Sequence, residues 1–189
     1  MTTVDRLWYL ADEAKQCAAQ AYHRVRERHG GDPIERTHTK YVSRPRFRTL
    51  VERIRNTGAP YGSHTLVYRP SGELLLVRHE GVDMWVLPGG CVDERESFRE
   101  AAARELDEEA GVDVDYEGLA MLNRIEICCD DYRTWGVLPV FCARAETTAT
   151  TISDPDGEIS AARWFLPDAL PDDTRDRGDV IAASRALSG

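Results

Sequence analysis

The sequence predicts an α/β chain whose sheet is preceded by a helical extension. Three observations carry this. Apolar residues recur at helical spacing through residues 4–28 and again through 44–55. From residue 62 the pattern turns to short runs rich in β-branched and aromatic residues. Set among those runs, residues 97–110 form an acidic segment with a helix start signal at one end and a helix stop signal at the other.

In the first helix, Val4, Leu7, Trp8, Leu10, Ala11, Ala14, Ala18, Ala21, Tyr22 and Val25 make one apolar stripe, ended by Gly30-Gly31-Asp32-Pro33. In the second, Ser43 stands at the cap, Pro45 suits the first turn, and Phe47, Leu50, Val51 and Ile54 form the inner face. Asn56-Thr57-Gly58-Ala59-Pro60 breaks the chain. Residues 64–68 and 73–79 then read as a hairpin around Pro70-Ser71-Gly72, and 84–87 as a short strand running into Pro88-Gly89-Gly90. Further strands are expected at 116–127, 136–145 and 161–165, with a polar loop over 147–156, a short helix at 167–170 and a last helix at 179–187. The expected organisation is a helical extension over 1–60, serving as a pocket or homodimer element, and an α/β domain over 61–189. Two helices with apolar faces are too few for an independent core, so the extension must pack on something else.

Charge narrows the function classes. The net charge is −9, with 33 acidic against 24 basic residues, so a broad basic surface for nucleic acid is not expected. A phosphate-bearing substrate must be met locally, by metal, a few arginines or backbone amides. Only Lys15 and Lys40 are lysines. That acidic, lysine-poor balance fits a halophilic source, and an arginine-leaning codon bias would produce it as well. No apolar run is long enough for a membrane helix, the N-terminus lacks the basic start of a signal peptide, and the odd cysteine count contains no C-x-x-C; a reduced cytoplasmic protein is expected. Cys91 is expected to be a packed small residue, not a nucleophile.

Residues 90–112 read GCVDERESFREAAARELDEEAGV. Ser97 and Glu100 have capping-box spacing, and Gly111 can take the left-handed conformation that ends a helix. At about 100° per residue, Glu105, Glu108 and Glu109 share an arc of roughly 100°. Ala102, Leu106 and Ala110 lie beside them and can pack on the sheet, while Glu100 and Asp107 point away. Three carboxylates on one face repel one another, and hard cations with oxygen ligands give a reason to gather them. Arg104 lies next to Glu108 on the wheel and can hold the cluster.

This segment resembles the Nudix box, G-x5-E-x7-R-E-U-x-E-E-x-G-U with U aliphatic. Gly90, Glu96, Arg104, Glu105, Leu106, Glu108, Glu109, Gly111 and Val112 occupy every constrained position. Trp85-Val86-Leu87-Pro88-Gly89-Gly90 is similar to the family's lead into the box. Asp156-Gly157-Glu158-Ile159 with Ala162-Arg163-Trp164-Phe165 is similar to its last core strand and the loop before it. The resemblance implies an α/β/α sandwich around a mixed sheet. It implies Glu105, Glu108 and Glu109 as carboxylates that bind magnesium (or manganese) or activate water. Gly89 would lend a carbonyl to the metal, and Glu96 and Arg104 would support the box with Gly90 and Gly111. Glu158 would be an additional catalytic carboxylate, or a plain surface acid. The implied chemistry is attack of water on phosphorus in a small-molecule nucleotide.

Substrate choice stays open. The chain shows none of the marks of the coenzyme A, ADP-ribose or dinucleoside polyphosphate subfamilies. Arg78, Trp85, Tyr132, Arg133 and Trp135 could meet a base or phosphates, and packing explains each equally well. Three readings remain: a pyrophosphatase acting on nucleoside diphosphate derivatives such as ADP-ribose or a nucleotide sugar; a nucleoside triphosphate pyrophosphohydrolase; and a catalytically silent module that senses a nucleotide.

Overall fold

The computed structural model describes residues 6–187. Val4, counted above in the first helical stripe, lies outside them. Contacts divide the chain into two compact units: the described residues up to Gly62 together with Met121–Pro139, and Ser63–Ala120 together with Val140 onward. The division does not follow the chain, because two long strands pass through both units.

In the first unit, α1 (Arg6–His29) buries Leu7, Ala11, Ala14, Ala18, Ala21 and Val25. The alanines let another backbone come close, and Gly58, the C-cap of α2 (Arg44–Thr57), lies against Ala21 with no room for a Cβ. Gly58 has φ 88° and donates to Ile54 O at 2.7 Å. Ser43 stands at the N-cap with extended backbone, but its side chain makes no capping bond, contrary to the expectation above; the helix starts on Pro45 and on Phe47 N–H to Ser43 C=O at 2.8 Å. Phe47, Leu50, Val51 and Ile54 pack with Leu7, Ala11, Ala14 and Ala18 and with Ile125, Ile127 and Cys129. Truncating Phe47 or Leu50, both fully buried, to alanine costs about 2–5 kcal/mol.

A strand that the sequence reading lacks completes this unit. β1 (Ile34–Tyr41) pairs in parallel with Met121–Cys128 of β6 (Val114–Cys129). β6 and β7 (Tyr132–Ala145) are longer than expected and meet across Asp130 and Asp131, with Asp130 at φ 51°. The N-terminal helices therefore find their core on the far ends of these two strands.

The second unit holds a mixed sheet. The Val140–Arg144 part of β7 runs parallel to β2 (Ser63–Tyr68), which is antiparallel to β3 (Leu74–His79). β3 carries β4 (Met84–Val86) and β8 (Ile159–Phe165), and β2 carries the two-residue β5 (Gly89–Gly90). Helix α3 (Phe98–Ala110) buries Leu106 and Ala110 against Val67, Leu75, Val77 and Val86. A short 3-10 turn at Pro167–Ala169 and helix α4 (Arg177–Leu187) close the chain. Among the described residues no helix is long and apolar enough to cross a membrane.

Candidate functional site

Everything in this site belongs to the second unit. Helix α3 starts where the capping spacing says it should. Ser97 Oγ accepts from Glu100 N–H at 3.2 Å, and Glu100 Oε2 accepts from Ser97 N–H at 2.8 Å. Its end is set by Gly111, at φ 60°, which donates to Asp107 O and Leu106 O. Between these caps the acidic face is fixed in direction.

Arg104 is the hub. Its Nε and Nη2 donate to Glu96 Oε1 and Oε2, both at 3.0 Å, a two-pronged contact of the kind that fixes both side chains. Nη2 also donates to Cys91 O at 2.9 Å, and Nη1 donates to Glu105 Oε1 at 2.8 Å and lies 3.6 Å from Glu108 Oε2. Glu96 is itself anchored, its Oε2 accepting from Asp93 N–H at 2.9 Å. The hydrogen bond from Arg104 holds the Glu96 carboxyl below its usual range, and Glu96 in turn raises the Arg104 pKa. Cys91, expected to be packed, is exposed; its contribution is the backbone carbonyl.

On the other side of the stripe, no basic side chain among the described residues pairs with Glu109. Glu109 is 7% exposed, and its Oε2 accepts from Gly89 N–H at 2.8 Å. Burial pushes its carboxyl up to about 8; the Gly89 bond pulls the other way, and the charges of Glu105, Asp154 and Glu108 add to the rise. Burial also raises Glu105, against the opposing pull of Arg104. Gly90 lies so close to Glu105 that a Cβ there would sit 2.6 Å from its carboxyl carbon.

A divalent cation fits this donor set. Buried Glu109, which accepts from the Gly89 backbone, and half-buried Glu105, which has one oxygen on Arg104, stand together on this face, and all the donors are hard oxygens. Among the described residues no three acidic, histidine or cysteine side chains close into a full cage. Magnesium does not need one, since it keeps several waters and takes one or two carboxylates plus substrate phosphate.

The loop before β8 is pinned to the end of α3 by Thr151 N–H to Ala110 O (2.7 Å) and Ser153 N–H to Glu108 O (2.8 Å). Asp154 caps it from within, accepting from Asp156 N–H at 3.0 Å, Glu158 N–H at 2.6 Å and Ile159 N–H at 2.9 Å. Burial alone would raise Asp154, but these three donors outweigh it and the carboxyl is lowered. Glu158, named from the sequence, is paired with His79 Nε2 at 3.2 Å. Two other acids of the same loop add to the rise of the box carboxyls, Asp156 on Glu105 and Asp154 on Glu109. In the sequence the D-P-D-G run shows a turn but not its pinning to α3.

Gly89, Gly90, Glu96, Arg104, Glu105, Glu108 and Glu109 are thus brought together, with Gly111 at the helix end. Of the five aromatic or basic residues considered for substrate contact, Tyr132, Arg133 and Trp135 lie in the first unit. Arg78 is ion-paired with Asp83 and Asp173, and Trp85 packs edge-on to Phe165 at 5.0 Å.

Comparison with known proteins gives the same picture. Residues 60–183 match the family model of the NUDIX domain. A Bacillus subtilis protein named "Putative 8-oxo-dGTP diphosphatase" is 31% identical over 111 residues, which are 58% of this chain and 68% of that protein. Nudix hydrolase 6 of Arabidopsis thaliana is 34% identical over 91 residues, 46% of this chain and 29% of that longer protein. The structure of the E. coli dihydroneopterin triphosphate pyrophosphohydrolase superimposes with a TM-score of 0.52 at 19% identity, covering 67% of this chain and 94% of that one, a likeness of fold. With a complete box on a capped helix and a family match over well over half of its length, the chain belongs to the Nudix family.

Proposed function

We propose that this Nudix pyrophosphohydrolase cleaves the pyrophosphate linkage of a nucleoside diphosphate derivative of the ADP-ribose or nucleotide-sugar type, releasing a nucleoside monophosphate. The observation that carries the hydrolase reading is the asymmetric carboxylate face of α3: Arg104 pairs with Glu105 and Glu108, while Glu109, next to them, is buried without a basic partner among the described residues. Glu105, Glu109 and the Gly89 carbonyl would hold magnesium, or manganese in its place. The bound cation supplies Lewis acidity toward a phosphoryl oxygen and a lowered pKa for water.

The chain's own residues do the rest. Arg104 keeps Glu105 and Glu108 within reach of one another, and one of these two carboxylates takes the proton from the attacking water. The water oxygen bonds to one phosphorus, the bridging P–O bond breaks, and the other phosphate leaves with the bridging oxygen. Glu96 and the Cys91 carbonyl fix Arg104, so the carboxylates are oriented before substrate arrives.

The name of the Bacillus relative favours a second reading, removal of pyrophosphate from a nucleoside triphosphate. One panel separates the two. With magnesium, ADP-ribose and nucleotide sugars should give a nucleoside monophosphate plus a sugar phosphate, and nothing should turn over in chelator. Pyrophosphate release from triphosphates alone would select the second reading, and no product from any substrate would end both.

A further inference from the structure

An anionic substrate approaching this site needs a positive side chain, and Arg104 is already spent on Glu96, Glu105, Glu108 and the Cys91 carbonyl. Arg78, near the lead into the box, is held by Asp83 and Asp173. Arg175 is placed differently. The segment Asp173–Arg175 runs alongside Trp85: Trp85 N–H donates to Asp173 O at 3.2 Å, Arg175 N–H donates to Trp85 O at 2.9 Å, and Thr174 forms a parallel bridge with Trp85. The Arg78–Asp173 pair fastens the same segment from β3. The Arg175 side chain is exposed, and among the described residues no carboxylate pairs with it.

Its charge reaches His64, the residue that pairs with Gly89 and whose ring lies against that glycine. Around the same turn, three buried polar atoms have no hydrogen-bond partner: His64 Nδ1, Ser63 Oγ and Thr174 Oγ1. His64 pairs with Gly89 and Thr174 bridges Trp85, so these two border the Trp85–Gly90 lead, while Ser63, one residue earlier in β2, faces the other side of the strand. Buried polar atoms are almost always satisfied, and a group of unsatisfied ones beside an unpaired guanidinium is the composition of a polar subsite.

We propose that Arg175, tethered through Trp85 beside the Gly89–Gly90 turn, binds a phosphoryl oxygen of the nucleotide substrate, with His64 and Thr174 completing the subsite. This rests on the pyrophosphohydrolase reading and adds its anion-binding residue. A guanidinium meets two phosphoryl oxygens at once, which a lysine cannot do in the same way.

The test compares wild type, Arg175→Gln, Arg175→Lys and a control, Arg185→Gln on α4, on the best substrate of the panel, with melting temperatures alongside. Loss of a charge-assisted contact made equally in ground and transition states raises KM about 10- to 100-fold in Arg175→Gln with kcat held. Arg175→Lys recovers part of it, and the control stays at wild type. Titration of inorganic pyrophosphate with magnesium gives a second readout, weakened by a similar factor. If KM and pyrophosphate affinity in Arg175→Gln stay within about twofold of wild type, or the loss falls on kcat or melting alone, the assignment is overturned while the hydrolase reading stands. Pyrophosphate binding that depends on Arg175 in a protein that hydrolyses nothing would keep the site and remove the hydrolase reading. A protein that neither binds nor hydrolyses removes both.

Discussion

Replacing Gly90 with alanine tests the site with a single methyl group. Gly90 is not among the glycines with left-handed backbone, so alanine is conformationally acceptable there. The methyl carbon would fall 2.6 Å from Cδ and Oε1 of Glu105 and 2.7 Å from Oε2. Comfortable contacts begin at about 3.5 Å, so the carboxylate has to retreat by roughly 0.9 Å. That movement takes Glu105 away from Arg104 Nη1, now at 2.8 Å, and off the metal side of the stripe. A misplacement near 1 Å commonly costs about 100-fold in rate. Stability suffers less, since one partly exposed ion pair is worth about 1 kcal/mol or less, or about 2–4 °C of melting. Alanine at Gly89 is a contrasting case: there φ is 152° and the added carbon meets the His64 backbone at 2.6 Å, so the fold itself should weaken. Steady-state turnover beside a thermal melt reads both. A Gly90→Ala enzyme with kcat within about threefold of wild type would refute the reasoning.

Glu→Gln at 105, 108 or 109 keeps shape and removes charge, so kcat should drop by about two orders of magnitude or more with the melting temperature held or raised. Asp107→Asn, exposed on the far side of α3, should stay near normal; wild-type turnover in all three glutamine variants would point to a nucleotide sensor instead. The Glu109 carboxyl stands at about 8 in the fold against an ordinary 4.5. A raised folded pKa stabilises fully below the ordinary value and loses that contribution as pH climbs through the raised one. Metal-free protein should therefore lose stability between about pH 5 and 8, and Glu109→Gln should flatten that fall; matching wild-type and variant profiles would contradict it. In the loop, Asp156→Asn removes a charge that raises the Glu105 carboxyl, so the pH profile of kcat should shift to lower pH in that variant and less in Glu158→Gln, whose residue is paired with His79; the reverse order would return the role to Glu158. Finally, with net charge −9, melting should rise from low to molar salt as self-repulsion is screened, and a flat or falling trend would remove the salt-adapted reading.

The box is legible because its determinants are local. Ser97 finds Glu100, Arg104 finds Glu108, and Gly111 closes on Asp107, all within one or two turns of the same helix. The α1 and α2 stripes are legible for the same reason. β1 is invisible to such rules: in IERTHTKY only Ile34 and His38 are even half-buried, so there is no alternation to see, and its partner lies far along the chain. The loop carboxylates fail similarly. Asp156 near Glu105 depends on Thr151 and Ser153 bonding to the end of α3, a pairing between segments some 40 residues apart that no local motif announces. Ser43 shows the opposite error, a residue with the right type and position whose side chain makes no cap bond.

The pairing of β1 with β6 has a consequence in time. Ile34 waits for Met121 and Tyr41 for Cys128, so each β1 residue is made 87 residues before its partner. At about 5–20 residues per second on the ribosome, that is a delay on the order of 4–17 s. During it the two helices have no Ile125 or Ile127 to cover their apolar faces. A strand bearing Arg36, His38 and Lys40 suits that wait, because basic side chains along an unpaired edge discourage pairing with another nascent chain.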